Sequence, residues 1–143
     1  MKIGIIGIGM LGEAVSLNLL NSGYEVSVYN RTKEKTINVE KKGAKVMESP
    51  KILAENTELI IIIVKDAIAV KDVSFGKNGI IKSKNKNLIV ADMSTIDSTE
   101  SKDIANEFQK NHIQKLEIPV MGGPNVAIKG ELVMMASGPK TSI

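Results

Sequence analysis

Lys2-Ile3-Gly4-Ile5-Ile6-Gly7-Ile8-Gly9-Met10-Leu11-Gly12 opens the chain, a short apolar strand running straight into G-x-G-x-x-G. Beyond it, Leu11, Val15 and Leu19 recur at i, i+4, the spacing of one helix face, and Gly23 is the expected stop. A glycine loop between a strand and a helix is where a dinucleotide pyrophosphate binds. Gly7 would allow the tight turn, Gly9 would let backbone N–H groups approach the phosphates, and Gly12 would let helix and strand pack closely. Gly7, Ile8, Gly9, Met10, Leu11 and Gly12 are therefore the expected phosphate-binding residues. The following helix would aim its positive dipole end at them, worth about 0.3–1 kcal/mol per charge.

The 143 residues are expected to form one dinucleotide-binding domain over 1–143. A chain of this size buries about 68–70% of its unfolded surface. With 43% apolar but only 3% aromatic residues, the core must be aliphatic, as strands covered on both faces require. No cysteine is present, which excludes disulfide, zinc-thiolate and cysteine-nucleophile chemistry and fits a cytoplasmic location. No metal site is expected. The longest apolar run, Leu59 to Val64, is too short for a bilayer, and the N-terminus lacks a signal-peptide pattern.

Net charge is +3, with lysines gathered at Lys41-Lys42-Lys45 and Lys82-Lys84-Lys86. No aromatic residues interleave with them, so they read as solvated surface and no nucleic-acid partner is expected. His112 follows Lys110-Asn111 near a helix end and reads as a surface or dipole partner, not a catalyst.

Strands and helices alternate along the chain. Strands are expected at Lys2–Ile6, Glu25–Tyr29, around Lys45–Met47, at Leu59–Val64, Leu88–Ala91, Lys115–Ile118 and Leu132–Ala136. Helices are expected from Leu11 to Asn21, from Thr32 to Gly43 with Ile37 as anchor, from Pro50 to Asn56 after the Ser49 cap, and over Ala67–Val73. A last one is opened by Asp97, with Glu100 at capping-box spacing, and carries Ile104, Ala105 and Phe108. This order predicts an α/β, doubly wound, mainly parallel sheet of the Rossmann type. Ligands of such sheets gather at the carboxyl ends of the strands, here Gly7–Gly12, Asn30–Thr32, Val64–Asp66 and Asp92–Thr95.

The second strand ends in Asn30-Arg31-Thr32 rather than the Asp or Glu that hydrogen-bonds an NAD ribose. No carboxylate there would repel a 2′-phosphate, and Arg31 offers a planar fork of donors, with the Thr32 hydroxyl beside it. NADP(H) is expected to be preferred, with NAD(H) possible.

Together, Gly7–Gly12, Asn30-Arg31-Thr32, Asp92-Met93-Ser94-Thr95, Pro119-Val120-Met121-Gly122-Gly123 and Ala127-x-x-Gly130-x-Leu132 fall in the order of the β-hydroxyacid dehydrogenases. The chain resembles that family, which includes 3-hydroxyisobutyrate dehydrogenase and the glyoxylate/succinic semialdehyde reductases, over essentially its whole length. The resemblance implies reversible hydride transfer between a nicotinamide and a small carboxylate-bearing hydroxy acid or semialdehyde. It implies that Thr95 lies near the nicotinamide ribose and that Val64 and Lys65 line the cofactor, where the family usually has Leu-Pro. Gly122 and Gly123 would offer N–H groups to the substrate carboxylate, as adjacent glycines can.

Two departures stand out. Met121 replaces the family's Ser, removing a hydroxyl donor to the substrate. The family's catalytic Lys and its all-α second domain, which carries the contacts of a homo-oligomer, are expected beyond Ile143. Lys65, Lys129 and Lys140 do not match the catalytic motif. These residues alone are therefore expected to bind cofactor without turnover. Two other readings differ in class: a non-catalytic dinucleotide-binding or interaction module, and an S-adenosylmethionine-dependent methyltransferase. Against the second stands Asn30-Arg31, where an acidic residue would be needed.

Overall fold

The computed structural model describes residues 1–139; Lys140 and Ile143 lie outside them. Strands β1 (Lys2–Ile6), β2 (Glu25–Tyr29), β3 (Lys45–Val46), β4 (Leu59–Ile62), β5 (Ile89–Asp92) and β6 (Gln114–Glu117) form one sheet in the order β3-β2-β1-β4-β5-β6. Every neighbouring pair in it is parallel. The chain thus winds outward from β1 in one direction and then, after β3, in the other, which makes the gap between β1 and β4 a topological switch point.

Alternation along β1 explains the two cores. Ile3 and Ile5 join Val26, Val28 and Val39 on one face, covered by α1 (Met10–Asn21) and α2 (Ile37–Lys41). Ile6 joins Ile60, Ile62, Val90 and Phe108 on the other, covered by α3 (Pro50–Glu55), α4 (Ala67–Phe75) and α5 (Ser98–Lys110). Within that second core the Phe75 and Phe108 rings meet, 5.1 Å apart. Among the described residues no helix is long and apolar enough to cross a membrane.

The caps follow sequence chemistry. Ser49 Oγ accepts from Ile52 N, and Asp97 Oδ2 accepts from Thr99 N and Glu100 N. The segment after Thr32 departs from expectation. It enters as a 3-10 turn, Lys33–Thr36, before α2, and the Thr32 side chain makes no capping hydrogen bond. A 3-10 turn has 3.0 residues per turn instead of 3.6 and so rotates the helix face. Val39 therefore becomes the buried anchor, and Ile37 is 48% exposed. His112 sits just past α5 with φ 60°, a position that more often takes glycine or asparagine.

The last strand also differs from its expected form. Only Val133–Met134 (β8) is regular, and it pairs antiparallel with β7 (Val120–Met121), a strand with no periodic signal of its own. A short helix, α6 (Pro124–Ala127), joins the two strands and packs on α1.

Candidate functional site

A cavity of about 730 Å³ opens over the β1–β4 switch point, a size suited to a bound organic ligand. Its walls include Gly7, Gly9, Met10, Leu11 and Gly12, then Tyr29, Asn30, Arg31, Thr32 and Lys35 from the β2 side, and Ile63, Val64, Lys65 and Asp66 from the β4 side. Ile8 turns its side chain into the core.

Each glycine of the loop meets a different constraint. Gly7 has φ 99°, and a Cβ there would lie 1.9 Å from the Ile63 carbonyl oxygen. A Cβ on Gly12 would lie 1.9 Å from the Gly7 carbonyl oxygen, so α1 and the loop touch backbone to backbone. Gly9 is extended and precedes the first residue of α1, and nothing stands within 4 Å of its Cβ position. That empty cradle, beside helix-start N–H groups that no helix can satisfy internally, fits a pyrophosphate.

Asn30 works differently from the sequence expectation. Its Oδ1 accepts from Ile8 N at 2.8 Å and its Nδ2 donates to Thr32 O at 2.8 Å. The side chain braces the glycine loop against the β2 end, and Asn30 remains part of the cavity wall. Arg31 and Lys35 are exposed on the cavity wall and, among the described residues, carry no ion-pair partner, whereas Lys33 pairs with Glu48. Sequence reasoning does not single out Lys35, because a regular helix after Thr32 gives it no special place; the 3-10 turn brings it to the wall. It also misses the role of Asp66, although Asp before an apolar run is a cap signal: its Oδ1 accepts from Ala69 N and starts α4.

The β4 and β5 ends are tied together. Val64 N donates to Ser94 Oγ at 3.0 Å, and Ser94 N donates to Asp92 Oδ1 at 2.8 Å. Thr95, one residue on, is exposed and outside the cavity wall. Met121, Gly122 and Gly123 are exposed and also lie off that wall; Gly122 has φ 122° and Gly123 immediately precedes α6. The residues expected at the cofactor from the ends of the first two strands and of β4 thus line one cavity, Ile8 excepted, while Thr95 and the glycine pair border other surfaces.

Behind the β5 end sits a buried ion pair, Lys115 Nζ to Asp92 Oδ2 at 3.6 Å, with Glu117 in contact with the same ammonium. Burial lowers the Lys115 pKa below the ordinary 10.5, and Asp92 opposes the shift without cancelling it. The unfolded chain therefore holds this proton more tightly than the folded one. Lys115's contribution to stability accordingly grows as pH rises from the lowered folded value toward 10.5. Thermal melts across that alkaline window should show wild-type protein gaining on a Lys115→Met/Asp92→Asn variant; a constant difference contradicts the assignment.

Residues 2–143 match the family model of the NAD binding domain of 6-phosphogluconate dehydrogenase, and the chain belongs to that family of NAD(P)-binding domains. It is 34% identical to glyoxylate/succinic semialdehyde reductase 1 of Arabidopsis thaliana, over 98% of this chain and 48% of that protein. It is 32% identical to the mitochondrial 3-hydroxyisobutyrate dehydrogenase of Homo sapiens, over 95% of this chain and 40% of that one. A solved structure described as Psf3 in complex with NADP+ and 2-OPP superposes with a TM-score of 0.93 at 28% identity, covering 98% of this chain and 50% of its own. The chain spans about half the length of these relatives or less. The expected Rossmann-type fold and the resemblance to 3-hydroxyisobutyrate dehydrogenases and glyoxylate reductases both hold.

Proposed function

We propose that this chain is the NADP(H)-binding part of an oxidoreductase acting on a small carboxylate-bearing hydroxy acid or semialdehyde. The observation that carries the reading is the β2 end of the cavity: Arg31, Thr32 and Lys35 line it, whereas the carboxylates among the lining residues, Asp66 and Asp72, come from the segment after β4. A 2′-phosphate there meets two cations and a hydroxyl, whereas a bare ribose meets no carboxylate of the kind that accepts from its 2′-hydroxyl in NAD sites. Gly9 and the head of α1 hold the pyrophosphate, and Val64 and Lys65 border the nicotinamide half, with Thr95 near its ribose. Gly122 and Gly123 bind the substrate carboxylate through backbone N–H groups, without the hydroxyl that Met121 lacks. When bound, the cofactor supplies hydride chemistry, and the protein's task is to orient it and exclude water. No residue of this chain is assigned the transfer of the substrate proton.

The Arg31→Ala variant tests this reading. Losing a charge-assisted pair costs about 1.5–3 kcal/mol, so NADPH affinity should fall about ten- to a hundredfold while NADH affinity stays. Isothermal titration with both cofactors decides it: equal losses for the two would remove the 2′-phosphate assignment.

A further inference from the structure

We propose that Lys115 is a positioning residue for the nicotinamide half of the cofactor, acting through Asp92 and Ser94 on the β4 side of the cavity. The proposal rests on the dinucleotide reading above. In the strand order, β2 and β1 carry the adenosine and pyrophosphate side, so the other half of a bound dinucleotide extends toward β4 and β5. The β4 wall at Val64 and Lys65 is fixed by a chain of contacts that starts outside the cavity. Ser94 Oγ accepts the Val64 N–H at 3.0 Å, and Asp92 Oδ1 fixes the Ser94 backbone at 2.8 Å. Asp92 Oδ2 is buried with no hydrogen-bond partner, and its counter-charge is the Lys115 ammonium 3.6 Å away. The Asp92 and Lys115 side chains are 0% and 1% exposed, so water does not share the work.

A carboxylate left at this depth without its counter-ion takes up a proton or draws in water. Either change disturbs the oxygen that orients Ser94, and with it the Val64–Lys65 wall. Glu117 cannot substitute, since it touches Lys115 from the partly exposed side and brings a second negative charge. The adenosine side is braced separately: Asn30 holds Ile8 and the Thr32 carbonyl, and shares no hydrogen bond with this network. Lys115 therefore governs one half of the ligand and not the other.

That asymmetry is the test. NADPH and 2′,5′-ADP, which lacks the nicotinamide half, are titrated against wild type, Lys115→Met, Ser94→Ala and Lys115→Met/Asp92→Asn. Lys115→Met and Ser94→Ala should each weaken NADPH by about tenfold and leave 2′,5′-ADP unchanged. The double variant should recover most of the NADPH affinity, because the neutral amide oxygen introduced by Asp92→Asn still accepts the Ser94 N–H and needs no counter-ion. Should Lys115→Met fail to fold, Ser94→Ala and the double variant carry the same comparison. Loss of both ligands in parallel, or NADPH binding unaltered in Ser94→Ala, overturns the proposal. Wild-type protein that binds neither ligand overturns the dinucleotide reading beneath it.

Discussion

Replacing Gly9 by valine is expected to abolish NADPH binding, by about a hundredfold or more, while leaving the melting temperature near that of wild type. The backbone at Gly9, φ −85° and ψ −162°, is open to valine, and nothing lies within 4 Å of the new Cβ. The fold therefore loses no contact. The side chain would fill the space through which a pyrophosphate approaches the helix-start N–H groups. Hydrogen bonds to a charged group contribute about 1.5–3 kcal/mol each, and losing two of them accounts for the predicted factor. Calorimetric titration beside a melting curve reads both halves. Normal binding by the variant would mean that the loop is not the phosphate site.

Gly12→Ala should behave in the opposite way, destabilising the domain by about 3 kcal/mol or more before binding is considered. Its Cβ would stand 1.9 Å from the Gly7 carbonyl oxygen and 3.0 Å from the carbonyl carbon. Both atoms belong to backbone, so no side-chain rotation relieves the clash, and overpacking of this kind exceeds the usual cost of about 1–3 kcal/mol. For a domain of this size the melting temperature should drop by roughly 10 °C or more. Cofactor affinity per folded molecule should change far less than in Gly9→Val. A Gly12→Ala variant that melts like wild type would show that α1 and the loop are not in backbone contact. Two glycines three residues apart thus separate folding from binding.

Much of this was legible in the chain itself. The β-branched runs Ile3–Ile6, Val26–Val28 and Ile60–Ile62 specify buried strands, and the caps at Ser49 and Asp97 specify where helices begin. The loop between β1 and α1 then follows from its glycines. What escaped the sequence has identifiable causes. Ile37 and Val39 exchange roles because a 3-10 turn changes the helical phase, which an apolar pattern of a few residues cannot reveal. Strand β7 is only two residues long and takes its direction from pairing with β8, a tertiary event. The bracing role of Asn30, whose amide bonds Ile8 and Thr32, has no local signal because the first of these contacts spans 22 residues. Lys115 stands in the sequence only as the first residue of an expected strand, and its burial against Asp92 follows from β6 lying beside β5.

The central claim, that the cavity over β1 and β4 holds NADP(H) with its 2′-phosphate at Arg31 and Lys35, is tested most directly by titrating the 143-residue wild-type chain with NADPH and with NADH in parallel. The expected result is one site per chain, with NADPH bound about tenfold or more tightly than NADH, in keeping with a charge-assisted contact to the extra phosphate. Equal affinities, tighter binding of NADH, or binding of neither cofactor by folded protein would contradict it.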